Sequence, residues 1–289
     1  SNTRAGSRRN ISEHYDLGNA FYAQWLDPSM TYSSALYREP SQTLDDAQRE
    51  KYARILAALD LRPGMRVLEI GCGWGAMAEV AARAGAHVTA ITVSAEQLAY
   101  TQRRIAAAGL DGQCEARFCD YRDITGTYDR IVSIEMIEAV GEEHCQDYFR
   151  TLHSRLAPGG HAVIQAITIQ DAAFGSYRRK ADFIQRYIFP GGMLPTKTHI
   201  AREGAAAGLS ASTLVCFGQS YALTLREWRH RFDAAWPEIA QIGFDGRFQR
   251  MWRYYLMYCE AGFERGAVDV GLYRLDKPNA PASNGSGED

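Results

Sequence analysis

Two carboxylates, Glu135 and Glu138, follow the apolar stretch "YDRIVS", which is typical of a strand running into a protein core. A carboxylate in an apolar setting is unfavourable unless it has a partner or a chemical task. One interpretation of Glu138 is that it caps the following helix. The other, which we favour, is that it acts in an active site, and the two roles are compatible. Glu135 is interpreted as a cap or as a neighbour of a bound cofactor.

Three glycines, Gly71, Gly73 and Gly75 in "LEIGCGWG", come directly after a predicted strand and before a predicted helix. Glycine lets the backbone pass close to a ligand, and this order of elements builds nucleotide sites at the carboxyl ends of parallel strands. No GK[ST] follows, so no phosphate loop is predicted. An adenosine site without a pyrophosphate is indicated by three further features: Glu69, the polar end of the next strand, and "CDYRD" after the third strand. Such a site suits S-adenosylmethionine. The alternative is an α/β domain in which the turn binds nothing.

Strands and helices alternate along most of the chain, which predicts a parallel sheet covered on both faces. The predicted strands lie within residues 65–71, 87–93, 114–120, 128–136, 157–169 and 268–278. The predicted helices lie within residues 44–61, 76–85, 94–110, 143–156, 224–240 and 245–266. Ser94 and Gln97 form a capping-box pattern at the start of the third helix. Residues 172–205 break the alternation and are interpreted as an insertion.

The overall composition excludes several classes of protein. The chain has 289 residues, 46% of them hydrophobic, and a net charge of −2, so no overall positive field would recruit nucleic acid. Its six cysteines form no CxxC and no paired metal-ligand spacing, which favours a reduced, cytoplasmic protein. No apolar run reaches the roughly 18 residues that a membrane span needs. The small, polar residues 276–289 are predicted to be a disordered tail.

The aromatic stretch "HYDLGNAFYAQWLDPSMTYSSALY" at residues 14–37 closely resembles the signature that opens the cyclopropane-fatty-acid synthase family. The resemblance continues through "LEIGCGWG", "ITVSAEQ", "DYRD", "EMIEAVG", "YIFPGG", "SYALTLREW" and "RFQRMWRYYL", and covers about residues 10–275. It implies a Rossmann-like class I methyltransferase fold with a mostly parallel, seven-stranded sheet. Residues 1–40 would form a helical lid and residues 41–275 the methyltransferase domain, with the insertion covering the acyl site.

The family transfers a methyl group from S-adenosylmethionine to a cis double bond in a phospholipid acyl chain, and the resemblance implies a role for each matching residue. Cofactor contacts are implied for Tyr32 and Ser33 near the methionine part, Glu69, Gly71 and Gly73 at the turn, Thr92, Val93 and Gln97 near the ribose, and Asp120 and Tyr121 around the adenine. A bound bicarbonate ion is implied at Glu138, Tyr221, the backbone of Ile167, Ser34 and Gln165. Such an ion would remove the proton whose loss closes a cyclopropane ring.

Two positions depart from the family pattern. Ser34 stands where cysteine is usual, and Gln165 stands where many members have histidine. Serine and glutamine can still donate hydrogen bonds to an anion, so a cyclopropane ring stays the expected product. The departures weaken that expectation, and the closest rival is a cation that ends as a methylene or methyl branch. A small-molecule C-methyltransferase on the same scaffold is a further alternative, because a fold does not fix its substrate. A decayed, non-catalytic lipid-binding protein is disfavoured by the intact "GCGWG", Glu138 and Tyr221.

Residues 174–202 contain six basic residues against one acid, Asp182. The excess of positive charge indicates either a solvated face or a docking surface for anionic lipid, where each basic residue contributes about 1 kcal/mol. Docking of this kind would make the protein peripherally membrane-associated. The sequence does not decide the oligomeric state, and a homodimer is left open.

Overall fold

The computed structural model describes residues 17–179 and 183–280. Its strands are β1 (Arg66–Ile70), β2 (His87–Thr92), β3 (Cys114–Phe118), β4 (Tyr128–Ile134), β5 (Leu156–Ile169), β6 (Ser210–Cys216) and β7 (Val268–Asp276). The α-helices are α1 (Asn19–Ala23), α2 (Leu44–Leu59), α3 (Ala76–Arg83), α4 (Ala95–Ala107), α5 (Ile137–Val140), α6 (Cys145–Arg155), α7 (Asp171–Tyr177), α8 (Lys197–Ala206), α9 (Gly218–Ala234), α10 (Trp236–Gln241) and α11 (Gly246–Glu264). A 3-10 turn (Glu142–His144) and a π-helix (Ile184–Ile188) complete the described elements.

All seven strands join one sheet in the order β3-β2-β1-β4-β5-β7-β6. Strands β1 to β5 run parallel, and β7 runs antiparallel between β5 and β6. The predicted α/β class and the mostly parallel, seven-stranded sheet are therefore confirmed. The strand order reverses between β1 and β4, which is the point where open α/β sheets bind ligands.

Strand β6 is absent from the strands predicted by pattern. It lies at the edge of the sheet, and five of its seven residues are exposed, so its sequence "SASTLVC" carries no regular alternation of buried and exposed positions. Periodicity detects a strand only when one or both faces are buried. The local sequence therefore could not reveal this strand.

Successive residues of the central strands pack into two cores on opposite faces of the sheet. Val67 and Val132 contribute to a large core with α2, α9 and α11, whereas Leu68 and Ile131 contribute to a smaller core with α6 and α8. This alternation follows from the period of two residues in a strand. Both faces are covered, as the helix–strand rhythm predicts.

The aromatic residues that begin the described chain belong to the larger core. Phe21, Tyr22 and Trp25 are fully buried, and Trp25 contacts Trp228 of α9 with ring centroids 5.7 Å apart. This packing fixes the loop at residues 30–35 over the carboxyl ends of the strands. Residues 1–16 of the predicted lid lie outside the described residues.

The predicted insertion contains most of α7, the π-helix and most of α8, and three of its residues, 180–182, lie outside the described residues. The predicted tail begins inside β7, which runs to Asp276. Lys277 Nζ then donates to the carbonyl oxygens of His153 and Leu156, both at 2.8 Å. Residues 281–289 of that tail lie outside the described residues.

Candidate active site

A cavity of about 780 Å³ opens at the carboxyl ends of β1, β2, β4 and β5. Its walls come from the turn after β1, the turn after β4, residues 30–33, the π-helix and helices α7, α9 and α11. All of the predicted cofactor residues line it, namely Tyr32, Ser33, Glu69, Gly71, Gly73, Thr92, Val93, Gln97, Asp120 and Tyr121. The fold therefore brings together residues that span about ninety positions of sequence.

The glycine turn leaves open space on the cavity side. Gly71 and Gly73 have positive φ values of 77° and 53°, which disfavour other residues. A Cβ atom on Gly71 would lie 2.9 Å from Met136 Cγ, whereas one on Gly73 would meet no atom within 4 Å. Gly73 thus offers room for a ligand to approach the backbone, as an adenosine-containing molecule requires.

The polar wall beside the glycine turn suits the hydroxyl and amino groups of adenosine. Burial raises the pKa of the Glu69 carboxyl to about 8, and its Oε2 has no hydrogen-bond partner. The buried Tyr121 hydroxyl also has no partner. Two unpaired polar groups in a buried wall indicate that a ligand completes their hydrogen bonds. The residues present therefore fit the predicted cofactor.

Ser94 caps α4 by accepting a hydrogen bond from the Gln97 N–H at 3.3 Å. The reciprocal half of the predicted capping box is absent, because Gln97 Oε1 accepts from Thr92 Oγ1 at 3.0 Å and the Ser94 N–H donates to Thr92 Oγ1 at 3.1 Å. The side chain of Gln97 is held at the end of β2, where it lines the cavity.

Glu135 accepts three hydrogen bonds from distant parts of the chain. Its Oε1 accepts from the Ser34 N–H and from Gln165 Nε2, both at 2.8 Å. Its Oε2 accepts from the Tyr221 hydroxyl at 2.6 Å. The backbone is in the left-handed region with φ of 50°, a strain that often marks a functional position. Burial raises the pKa of Glu135, and these hydrogen bonds and the charge of Lys51 oppose that rise.

Glu138 has a different environment, although it also lines the cavity. Its Oε1 accepts from the backbone N–H of Ile167, while its buried Oε2 has no partner. Burial, together with the nearby charge of Glu135, raises the pKa of Glu138 to about 8. A carboxyl group with this pKa is mostly protonated at neutral pH, so Glu138 presents an O–H rather than a charge.

These contacts correct one expectation from the sequence. Neither glutamate caps α5, because no side chain forms a capping hydrogen bond at its N-terminus. The Tyr221 hydroxyl, implied by the resemblance as a bicarbonate contact, donates to Glu135. The predicted catalytic residues therefore separate into two groups. Glu138 and Ile167 are bonded to each other. Ser34, Gln165 and Tyr221 are all bonded to Glu135.

The two residues that depart from the family pattern lie behind Glu135 rather than in the wall of the cavity. Gln165 Nε2 donates to Glu135 and also to the Ser34 carbonyl at 3.3 Å. The Ser34 hydroxyl donates to the Ala35 carbonyl at 2.8 Å. Ser34 therefore serves the site through its backbone N–H, a role that residue type alone could not reveal.

Part of the cavity wall is mostly apolar. It includes residues of two apolar and aromatic stretches of the sequence, "FIQRYIFPGGMLP" and "MWRYYLMYC". The apolar and aromatic residues of this wall are Ile167, Ile169, Ala173, Ile184, Phe189, Met193, Leu194, Leu225, Tyr255, Tyr258, Phe263 and Val268. Trp252, from the second stretch, is instead buried in the larger core.

The basic segment at residues 174–202 is partly neutralised by acids from elsewhere in the chain. Arg178 pairs with Glu142 and Lys197 with Asp269, both at 2.8 Å. Arg202 pairs with Glu203 at 2.9 Å. Lys180 and Asp182 lie outside the described residues. In the part of the chain that the structure describes, no helix is long and apolar enough to cross a membrane.

A family model described as mycolic acid cyclopropane synthetase matches residues 2–272. The chain is 43% identical to the tuberculostearic acid methyltransferase of Mycobacterium tuberculosis, over 96% of this chain and 67% of that protein. It is 39% identical to the cyclopropane-fatty-acyl-phospholipid synthase of Escherichia coli K12, over 91% of this chain and 66% of that protein. The chain thus spans about two thirds of the length of each of these relatives.

Solved structures give the same result at the level of the fold. The structure of mycolic acid cyclopropane synthase CmaA1 complexed with SAH and CTAB is similar with a TM-score of 0.88 at 28% identity, covering 93% of this chain and 98% of that one. The cyclopropane synthase MmaA2 from Mycobacterium tuberculosis is similar with a TM-score of 0.86 at 29% identity, over the same shares of the two chains.

Proposed function

The chain belongs to the mycolic acid cyclopropane synthetase family of S-adenosylmethionine-dependent methyltransferases, and from this premise we propose that it methylates the cis double bond of an unsaturated fatty acyl chain held in a phospholipid. One observation carries the proposal. A single cavity joins a polar wall suited to adenosine, two carboxyl groups and a long apolar wall. This combination suits transfer of a methyl group to a hydrocarbon.

The apolar wall supports an acyl substrate over a small polar one. Its surface is formed mostly by hydrocarbon and aromatic side chains from β5, the π-helix and the residues that follow it, α9 and α11. Burying each CH₂ group of a bound chain contributes about 0.8 kcal/mol. A small polar substrate would gain little from such a wall and would leave its own polar groups unpaired.

S-adenosylmethionine, held by the residues beside the glycine turn, would supply an electrophilic methyl group. Its transfer to the alkene would release S-adenosylhomocysteine and leave a carbocation on the acyl chain. The protein then has to exclude water, which would trap the cation as an alcohol. Tyr221 and Phe263 stack with centroids 4.4 Å apart in the wall. Their π faces can stabilise a nearby cation while the apolar wall keeps the site dry.

Glu135 is the base in this mechanism and accepts a proton from the transferred methyl group. Tyr221, Gln165 and the Ser34 N–H fix its orientation. Burial raises the pKa of Glu138 to about 8, so Glu138 is mostly protonated at neutral pH, whereas the three hydrogen bonds and the charge of Lys51 favour the ionised form of Glu135. Pairs of carboxyl groups with separated pKa values recur where one acts as the base.

The bicarbonate ion implied by the resemblance does not fit the residues present. Tyr221, Gln165 and Ser34, three of the groups expected to hold it, already donate to the carboxylate of Glu135. A second anion beside an ionised Glu135 would be repelled. We therefore assign the base to the side chain and derive no step through bicarbonate.

Two products are compatible with the first step. Direct loss of a proton from the transferred methyl group closes a cyclopropane ring, the outcome first expected from the sequence. If a hydride shifts first to the neighbouring cationic carbon, loss of the same proton leaves a methylene branch. The exchange of a bicarbonate site for Glu135, and the 43% identity to a tuberculostearic acid methyltransferase, favour the methylene branch. The 39% identity to a cyclopropane synthase supports the ring as the second candidate.

Purified protein incubated with S-adenosylmethionine and vesicles of dioleoyl phospholipid tests the proposal. A gain of one CH₂ per modified chain, detected by mass spectrometry of the lipids, is expected. Proton NMR then separates ring protons from vinylidene protons. Release of S-adenosylhomocysteine with a small-molecule acceptor but never with unsaturated lipid would refute the acyl substrate.

Docking on anionic lipid is part of the proposed function. Large exposed side chains form an aromatic patch on the π-helix and α11: Tyr187, Tyr254, Met257 and Tyr258, with exposures of 42–62%. Tyr258 also lines the cavity, so the patch adjoins the proposed acyl wall. Arg179 and Arg186 lie close by in sequence and form no ion pair with a described residue. Aromatic and basic side chains together suit the interface of an anionic membrane.

A further inference from the structure

Lys51, in α2, is a fully buried lysine that the proposed mechanism does not use. Its Nζ donates to Ser33 Oγ at 2.7 Å and lies 4.6 Å from the centre of the Tyr52 ring. It forms no direct ion pair with any described carboxylate. A buried ammonium group is unfavourable without compensation, so its place beneath the cavity calls for a role. Burial lowers the pKa of Lys51 to about 8, and the charges of Glu135, Asp27 and Glu69 oppose that fall.

The bond from Lys51 fixes the direction of the Ser33 hydroxyl. An ammonium group can only donate, so Ser33 Oγ must accept from it. Gln48 Nε2 donates to the Ser33 carbonyl at 2.9 Å and holds the backbone at the same place. The proton of the Ser33 hydroxyl has no acceptor among the described protein groups, and Ser33 lines the cavity. The hydroxyl is therefore a donor available to a ligand, with a positive charge directly behind it.

A donor backed by a positive charge suits an anionic ligand group. Ser33 directly precedes Ser34, whose N–H binds the proposed base Glu135, so this loop passes beside the reacting methyl group. In S-adenosylmethionine the sulfonium joins adenosine to an amino acid. With adenosine on the wall of Thr92 and Asp120 and the sulfonium near Glu135, the amino-acid end extends towards Ser33.

We propose that Lys51 is a positioning residue that directs the Ser33 hydroxyl at the carboxylate of the methionine part of S-adenosylmethionine. The inference uses the cofactor orientation of the proposed function but not its acyl substrate. Its test needs only cofactor-like ligands. Failure of acyl methylation and failure of this inference can therefore be told apart.

The test compares two ligands by calorimetry. S-adenosylhomocysteine carries the carboxylate, whereas 5′-methylthioadenosine keeps the adenosine and the sulfur and lacks the amino acid. Lys51→Met is expected to weaken S-adenosylhomocysteine about 10- to 100-fold, the range for a hydrogen bond to a charged group. Binding of 5′-methylthioadenosine should stay within about threefold of wild type, since the lost interaction is absent from that complex.

Three further variants separate positioning from a structural role. Ser33→Ala should show the same selective loss, and the double variant should lose no more than either single one, because both changes remove one interaction. Lys51→Gln keeps an N–H donor and should recover part of the affinity. Lys277→Met, which removes another bonded lysine far from the cavity, should leave the binding of both ligands unchanged.

Equal weakening of both ligands by Lys51→Met would show that Lys51 only maintains the fold. Unchanged affinity for S-adenosylhomocysteine, or additive losses in the double variant, would overturn the proposal as well. If Lys51→Met does not fold, Ser33→Ala carries the comparison of the two ligands by itself. Ser33→Ala binding S-adenosylhomocysteine as tightly as wild type would overturn the inference by itself.

Discussion

Replacing Glu135 by glutamine tests the assignment of the base. Glutamine keeps the size of the side chain and an oxygen that can accept from the Ser34 N–H and Gln165. The Tyr221 hydroxyl can turn to accept from the new amide instead of donating. One altered hydrogen bond costs about 1 kcal/mol of stability, so the variant should fold.

The expected effect on catalysis is much larger than the effect on stability. Loss of a general base lowers the rate about 100- to 10,000-fold, or roughly 3–5 kcal/mol of barrier. The assay measures S-adenosylhomocysteine released with unsaturated phospholipid vesicles. Calorimetric binding of S-adenosylhomocysteine and the thermal midpoint serve as controls for folding and for an intact cofactor site.

Glu138→Gln is the matched comparison. Because the pKa of Glu138 is about 8, this group is already neutral below that pH, and glutamine keeps the oxygen that accepts from the Ile167 N–H. We expect less than about a tenfold loss of rate for this variant near neutral pH. A rate within threefold of wild type for Glu135→Gln would refute the reasoning. A large loss confined to Glu138→Gln would instead make Glu138 the residue that organises the base, as the family resemblance implies.

Four other outcomes are expected. Gly73→Val should abolish binding of S-adenosylmethionine. Gly109 also has a positive φ, 67°, and open space around it, and Gly109→Val should not affect binding. Equal binding by the two variants in calorimetry would place the cofactor elsewhere. Glu135→Gly relieves a positive φ and leaves the three donors to Glu135 unpaired. Added bicarbonate should therefore restore part of the activity of this variant but leave the wild-type rate unchanged. Absence of rescue would argue that bicarbonate cannot replace the Glu135 carboxylate. Burial raises the pKa of Glu69 and Glu138 from 4.5 to about 8, so the folded protein binds more protons than the unfolded chain between these two pH values. The free energy of unfolding, measured by urea denaturation, should therefore fall as pH rises through that window, and less steeply in Glu138→Gln. An unchanged slope in the variant would contradict the raised pKa of Glu138. Binding to anionic vesicles in a flotation assay should fall as salt rises, because exposed charges are screened within about 8 Å at physiological salt; equal, salt-independent binding to neutral vesicles would contradict electrostatic docking.

Local sequence determined the parts of the fold that have strong local signals. The alternation of helices with apolar strands predicted the α/β class, and the glycines at 71 and 73 predicted a turn after a strand, and the structure confirms both. The helix predicted at residues 44–61 is α2, which ends at Leu59 because Asp60 adopts a left-handed conformation. Such features depend on side chains a few positions apart, which a single sequence displays directly.

Tertiary structure decided which carboxylate receives which donors. The residues that bind Glu135 lie 30 to 101 positions away from it in sequence, and no spacing rule connects them. The sequence indicated Glu138 as the active carboxylate and left Glu135 as a cap or a neighbour of the cofactor. The left-handed bend at Glu135 turns its side chain towards Tyr221, which only the folded backbone can specify.

Local sequence also could not predict the role of Lys51 or the exposed strand β6. Lys51 occupies one buried position on an otherwise ordinary helix, and its contact with Ser33 depends on how residues 30–35 cross α2. Strand β6 pairs with β7 at the edge of the sheet, and no apolar periodicity marks it. The sequence by itself determined the class of fold, the cofactor turn and the set of candidate residues. The pairing of those residues was decided by tertiary packing, because hydrogen bonds between distant segments exist only after the sheet and its covering helices have brought them together.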